Sequence, residues 1–323
     1  METFEDRIQN YRHIINEKLN QVVNKTVPVS FYEPVQYLLE GGGKRIRPIL
    51  VIMACRSVGG EIADCLDAAV AIELLHNFTL AHDDIMDHDD LRRGKVTVHK
   101  KWDEATAILA GDGLVALAYN YLLQTKSNDI RELCKIFTDG IIQLCEGQAL
   151  DKEFENQFDI DLPQYISMIE KKTARLLMIS MEIGAIIGSG NLAERHLLRE
   201  FALELGCAFQ IQDDFLDIAE TSGKTFASDI LQKKKTFLFV HAFNHATKLD
   251  KKLIKKIFSQ PNVSQNDIGT VKNIFQKAGT LACAQQEVKM RLNKAEKLAA
   301  QLNPSPAKDD LFQFLNLILN RNS

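Results

Sequence analysis

Asp83, Asp84 and Asp87 spell D-D-x-x-D inside "HDDIMDHDDLRRG" (82–94). On a helix, positions four apart share a face, so Asp83 and Asp87 point at one object with Asp84 beside them. Hard carboxylate oxygens, without sulfur or paired imidazoles, suit Mg²⁺, which takes few protein oxygens and completes its shell with water and phosphate. One such cluster can equally be a solvated acidic helix end. A second copy weighs against that: "FQIQDDFLDI" (209–218) repeats the motif at Asp213, Asp214 and Asp217, among Phe209, Ile211, Phe215, Leu216 and Ile218. Carboxylates that close to apolar surroundings need cations. Two such helices would hold a cluster of Mg²⁺ ions and bind a highly charged anion such as a diphosphate. A di-iron site would need two Glu-x-x-His motifs, and only Glu73–His76 supplies one.

Cations stand where a diphosphate would want them. "GGGKRIRP" (41–48) brings Lys44, Arg45 and Arg47 together after three glycines. Glycine lets the backbone approach a ligand, and Arg offers a bidentate fork to phosphate oxygens. Arg92 and Arg93 follow the first aspartate motif at once, so arginine and metal can grip one phosphate from two sides. "KKTARLL" adds Lys172 and Thr173, and "GKTFASDILQKKKT" adds Lys224 and Lys233 to Lys235. Singly, each of these is an ordinary solvated charge; their value lies in the ensemble with the aspartates.

Long helices must position these groups. No proline lies between Pro48 and Pro163, and apolar residues recur three and four apart, as at Leu74, Leu75, Phe78 and Ala81. Breaks are expected at 41–43, 59–60, 88–103, 111–113, 126–129, 188–191, 220–229 and 260–266. The expectation is one all-α domain over residues 1–323, a bundle of ten or more helices around a central cavity, with 248–302 as peripheral helix. The chain has 323 residues, 46% hydrophobic, which suffices for a large core, and a net charge of −4, which argues against nucleic-acid binding. The N-terminus lacks the apolar core of a signal peptide, and the apolar run 176–188 is too short to span a bilayer, so no integral membrane segment is expected. Cys55, Cys65, Cys134, Cys145, Cys207 and Cys283 show no CxxC spacing and read as reduced thiols in a cytoplasmic protein.

With "GGGKRIRP", "HDDIMDHDDLRRG", "GDG", "GQALD", "KT", "FQIQDD" and "GK…D…KKT" in this order, residues 40–240 resemble a trans-isoprenyl diphosphate synthase of the farnesyl/geranylgeranyl type. The resemblance implies an all-helical fold, a homodimer and three Mg²⁺ ions, with Mn²⁺ as a substitute. It matches Lys44, Arg47, His76 and Arg93 to an isopentenyl diphosphate site. Arg92, Lys172, Thr173, Gln210, Lys224 and Lys234 match an allylic diphosphate site. Asp83 and Asp87 match the metal ligands of the first motif, and Asp213 that of the second. Ala227 and Lys233 stand where the family usually has glycine, and Arg321 is a candidate cover for the site.

The implied reaction is head-to-tail prenyl transfer: the allylic diphosphate ionises and the double bond of isopentenyl diphosphate attacks the cation. Thr173 and Gln210 would steady that cation, and closure of residues 220–235 would exclude water. A class I terpene cyclase has a different second metal motif and no second diphosphate site. A non-catalytic subunit of a heteromeric synthase commonly loses an aspartate motif, whereas both are intact here. Phe78 lies five residues before Asp83 and Thr79 four before. An aromatic at the fifth position alone resembles synthases of the twenty-carbon product, geranylgeranyl diphosphate, with farnesyl diphosphate as the alternative.

Overall fold

In the computed structural model, which describes residues 3–218 and 227–319, regular structure is helical apart from one two-stranded hairpin. The helical bundle expected from the spacing is present. The chain clusters into two compact units: 1–138, 179–198 and 302–310 form the first, and 139–178, 199–301 and 311–323 the second. Four of the five boundaries fall inside helices, and the fifth, at 301–302, falls in the short turn between the helices Thr280–Ala300 and Pro306–Leu319.

The first unit holds α1 (Phe4–Leu19), α2 (Val29–Leu39), α3 (Ile46–Ser57), α4 (Ile62–Met86), the hairpin β1 (Leu91–Arg92) and β2 (Lys95–Val96), α5 (Val98–Lys101) and α6 (Glu104–Leu122). Helix α7 (Ile130–Glu155) starts there. Helix α4 is the spine: every residue from Ala68 to Asn77 is buried, with α3 and α6 packed along it. Along α6, Ala107, Ala110, Leu114, Ala118 and Leu122 turn inward at helical spacing, and the Asp103 carboxylate caps its start by accepting from Thr106 N at 2.6 Å.

The expected break at 111–113 does not occur, because α6 runs through both glycines. They serve packing instead. A Cβ at Gly111 would collide with the His82 imidazole of α4, and one at Gly113 with the Phe31 ring of α2. By length and composition α6 is apolar enough to cross a membrane; here it packs on α4, α2 and α5 and leaves Ile108 and Leu109 exposed. Composition alone hides the hairpin, whose turn is Arg93–Gly94 with φ of 54° and 77°. That is the left-handed pair a two-residue hairpin loop requires.

The second unit takes in most of α7, then α8 (Leu162–Ile169), which continues through a π-helical turn, Glu170–Ala174, into the first residues of α9 (Arg175–Ile187), whose remainder counts with the first unit. Helix α10 (Leu192–Ile218) carries the second aspartate motif. It is followed by α11 (Ser228–Leu231), α12 (Phe237–His245), α13 (Lys248–Phe258), α14 (Gln265–Lys277), α15 (Thr280–Ala300) and α16 (Pro306–Leu319). Helix α12 is buried from Phe237 to Phe243. The Lys-rich segment 248–302 is helical as expected and buries one side through Ile254, Ile257, Phe258, Val271, Phe275 and Leu292.

Candidate active site

In the first unit, the glycine loop and hairpin lie together. Arg93 donates to the Gly42 carbonyl, and a Cβ on Gly43 would sit 2.5 Å from Arg93 Nη1. Gly42 and Gly43 have φ of 68° and 135°, so the loop that brings Lys44 here requires glycine. Arg45 is not part of the open surface: it is buried and donates to Glu73 Oε1 (2.6 Å), Asn16 Oδ1 (2.9 Å) and the Leu39 carbonyl (3.1 Å). Glu73 is thereby used as a structural partner. Arg47 Nη1 donates to His76 Nε2 at 3.1 Å, which places the imidazole proton on Nδ1. Burial, followed by Arg47, Arg93, Arg45 and Arg92, holds His76 well below the usual histidine range. A neutral imidazole in contact with Arg47 and within the positive field of three further guanidiniums suits a multiply charged anion.

The first motif splits by role. Asp83 and Asp87, both half-buried, sit at the last turn of α4. Asp84 is buried and accepts from Arg92 Nε at 2.7 Å, and Arg92 also reaches Asp89 at 3.0 Å. Burial raises the Asp84 pKa and Arg92 opposes it. Asp84, grouped by sequence with the metal ligands, thus holds the hairpin arginine. A small cleft beside this pair is lined by Gly41, Asn77, Leu80, Asp84, Arg92 and Arg93, among others.

In the second unit, the π-helical turn presents Lys172 and Thr173. π-turns put an extra residue into a helix and are frequent at functional sites. Two glycines make room for this one. Gly147 of α7 lies against the Lys172 backbone, and a Cβ on Gly206 of α10 would sit 2.5 Å from Ala174 Cα. Lys172 pairs with Asp151, the last residue of "GQALD". The Thr173 hydroxyl donates to Gln210 Oε1 (2.9 Å), and Gln210 Nε2 donates to Asp214 Oδ1 (2.9 Å). Gly206→Ala should push on Ala174 and displace this row. A shift of about an ångström at a positioning group costs up to about 100-fold, so kcat/KM should fall about 10- to 100-fold while circular dichroism stays native. Unchanged kinetics would show that the turn tolerates the methyl.

The second motif also divides. Asp214 is buried and accepts from Tyr165 OH (2.5 Å) and Phe237 N (2.8 Å) as well as Gln210. Asp217 accepts from Ser228 Oγ (2.5 Å) and from the backbone N–H groups of Ser228 (3.2 Å) and Asp229 (2.9 Å), tying down the first two residues of α11. Asp213 is half-buried. Burial and the neighbouring carboxylates push Asp214 up to about 6 and Asp229 up to about 8. A divalent ion would favour the charged form of these buried carboxyls, and hard carboxylate oxygens of this kind fit one. Among the described residues no three such side chains are gathered closely enough to hold an ion by themselves. Mg²⁺ accommodates that by sharing its shell with phosphate and water.

Of the lysines in 233–235, Lys233 donates to the Gln260 and Pro261 carbonyls and Lys235 is buried. Lys234 is half-buried beside Asp229 and pulls its pKa down. Lys224 and Arg321 lie outside the described residues. Sequence reasoning passed over Asp151, Asp229, Tyr165, Gly147 and Gly206. Asp151 and Asp229 already stood inside quoted motifs, "GQALD" and "GK…D…KKT", but Tyr165 had no local signal.

Ala227 and Lys233 both have φ of 58°. The two positions where glycine was expected are therefore left-handed, at a cost of roughly 1 kcal/mol each for an L-residue. Ala227→Gly should leave thermal stability unchanged or raise it slightly, whereas Ala227→Val should lower it by at least about 1 kcal/mol. A melting temperature as high in the valine variant would contradict the strain.

Residues 28–277 match the family model described as polyprenyl synthetase. The chain belongs to the polyprenyl synthetase family. A "Short chain isoprenyl diphosphate synthase" of Methanothermobacter thermautotrophicus is 33% identical over 320 residues, 98% of each chain. A "Geranylgeranyl diphosphate synthase" of Methanosarcina mazei is 34% identical over 324 residues, 99% of this chain and 98% of that one. The crystal structure of a geranylgeranyl pyrophosphate synthetase from Pyrococcus horikoshii superposes with a TM-score of 0.94 at 35% identity, covering 98% of both chains. This polyprenyl synthetase has the all-helical fold of its relatives and is a prenyltransferase.

Proposed function

We propose that the protein condenses isopentenyl diphosphate head-to-tail with an allylic diphosphate (dimethylallyl, geranyl or farnesyl), to give all-trans geranylgeranyl diphosphate. The observation that supports this most is the neutral His76 in contact with Arg47, about two helical turns before Asp83 on α4. Lys44, Arg47, His76 and Arg93 hold isopentenyl diphosphate, with His76 setting the pose of Arg47. Lys172, Lys224, Lys234 and Arg92 hold the allylic diphosphate.

Asp83, Asp87, Asp213 and Asp217 would carry the Mg²⁺ ions, three by family resemblance and replaceable by Mn²⁺. Asp84 would act through Arg92. The ions supply positive charge to a diphosphate leaving group. As the allylic C–O bond breaks, Lys172 and Lys234 meet the charge growing on the leaving oxygens. The Thr173 hydroxyl and Gln210 carbonyl oxygens offer dipoles to the allylic cation without capturing it. The isopentenyl double bond attacks that cation, and the cation so formed loses a proton, by family resemblance to the released diphosphate, to give the new double bond. No protein nucleophile takes part.

We further infer a homodimer in the cytoplasm. The exposed Ile108, Leu109 and Leu123, on and just after the apolar helix α6, would be covered by a second copy. The described cysteines, all free thiols, suit a reducing compartment. The test is an assay of the purified chain with Mg²⁺, isopentenyl diphosphate and each allylic primer. Twenty-carbon product on reversed-phase chromatography is the expected result. Absence of any prenyl transfer would overturn the reading, and a fifteen-carbon product would overturn its chain length.

A further inference from the structure

Lys235 is the one fully buried lysine among the described residues, 5% exposed. Its Nζ lies 4.8, 4.9 and 5.3 Å from the ring centroids of Phe158, Phe239 and Phe258. It donates to the Glu155 carbonyl at 3.1 Å. Glu155 ends α7, where a helix leaves carbonyls without intrahelical partners and its dipole is negative. An ammonium there is favoured by helix end and aromatic faces together.

The neighbours of Lys235 are fastened too, each to a different partner. Lys233 holds the Gln260 and Pro261 carbonyls. The Thr236 hydroxyl caps α12 by accepting from Phe239 N at 3.3 Å. Phe237 N donates to Asp214 of the second aspartate motif. Lys234 sits in the middle of this anchored run.

Packing alone does not call for a charge here. Methionine would fill a cage of three phenylalanines and leave no ammonium to desolvate, and exchanging buried charge for apolar volume is often neutral or stabilising. Burial pushes the Lys235 ammonium down to about 8, with Glu155 drawing it back up. The charge is therefore kept against a desolvation cost.

We propose that Lys235 is a positioning residue for prenyl transfer, its ammonium fixing the segment that presents Lys234 to the allylic diphosphate. This rests on the allylic role given above to Lys234. It separates stability from binding: the charge sets where Lys234 stands, and the rings alone suffice to pack the cage.

The test compares Lys235→Met and Phe158→Leu with the parent, using exposed Lys252→Met as control. Thermal melting, KM for each substrate, and calorimetric binding of inorganic diphosphate with Mg²⁺ are measured. Lys235→Met should melt at or above the parent temperature and keep its KM for isopentenyl diphosphate. Its allylic KM should rise about tenfold, with diphosphate binding weakened in step, within the range that misplaced positioning groups produce. Phe158→Leu, which loosens the cage but keeps the ammonium, should raise the allylic KM slightly and leave the KM for isopentenyl diphosphate unchanged; if Lys235→Met does not fold, equal rises of both KM values in Phe158→Leu, or no change in either, would overturn the proposal. An unchanged allylic KM in the folded variant would overturn the proposal. So would a lower melting temperature with both KM values rising equally, which marks a purely structural lysine. If the parent itself makes no prenyl product, the functional reading fails rather than the positioning role.

Discussion

Asp83→Asn and Asp213→Asn each lower kcat by about 1000-fold or more and leave the melting temperature close to that of the parent, whereas Asp214→Ala unfolds the protein at much lower temperature. In the proposed reading, the first two replace a charged metal ligand by an isosteric neutral one. Losing about 4 kcal/mol of charge stabilisation on the leaving diphosphate corresponds to about three decades in rate. Both residues are half-buried, so the native packing survives. Asp214 is different in kind. Its removal orphans three donors, Tyr165 OH, Gln210 Nε2 and Phe237 N, of which Tyr165 and Phe237 are buried. Each buried donor left unmet costs about 1–3 kcal/mol, so a total of roughly 3–5 kcal/mol is expected. Steady-state kinetics alongside thermal melting separates the classes. Near-normal turnover in both asparagine variants would sink the metal assignment, and a stable Asp214→Ala would show that its three partners find other acceptors.

The contrast marks the limit of what can be read from D-D-x-x-D. Spacing placed Asp83 and Asp87 on one face because that depends only on the helical period. It did not show that the middle residue of each motif is a structural acceptor, because the donors come from afar: Arg92 from the hairpin, Tyr165 from α8, and Phe237 N from the start of α12. The same holds for the cations. Arg45, Lys233 and Lys235 look like further phosphate ligands in sequence, yet each is committed to a carboxylate or carbonyl contact within its own unit. The glycines misled in the opposite direction. Gly111 and Gly113 read as a helix break, but a helix tolerates glycine when a neighbouring side chain takes the missing Cβ's place. The π-turn at 170–174 has no period of its own, and only Gly147 and Gly206 record where backbone must come close.

Phe78→Ala lengthens the product beyond twenty carbons, and Thr79→Phe shortens it to fifteen. With the diphosphate at Asp83 and Asp87, as proposed, growth would run from the end of α4 toward earlier turns of that helix. Phe78 lies five residues before Asp83, about 7.5 Å along the axis at 1.5 Å per residue. Both Phe78 and Thr79 are half-buried, unlike the fully buried residues 68–77 that precede them, so their side chains reach an open edge of α4. The Phe78 ring is steadied by an edge contact to His82, with centroids 4.7 Å apart, and His82 is in turn seated in the space that Gly111 leaves on α6. The ring is therefore held in one pose and can stop a chain. Thr79 donates to the His76 carbonyl at 2.8 Å, which turns its small side chain back along the helix and leaves room beside the phenyl group. An aromatic at 79 cannot make that turn and fills the space one residue nearer the diphosphate. Truncating Phe78 removes the stop and adds room for about one more isoprene unit, which is close to one helical turn in length. Chromatography of the products after each variant is saturated with isopentenyl diphosphate reads the outcome. Twenty-carbon product from both variants would place the floor on other residues than these.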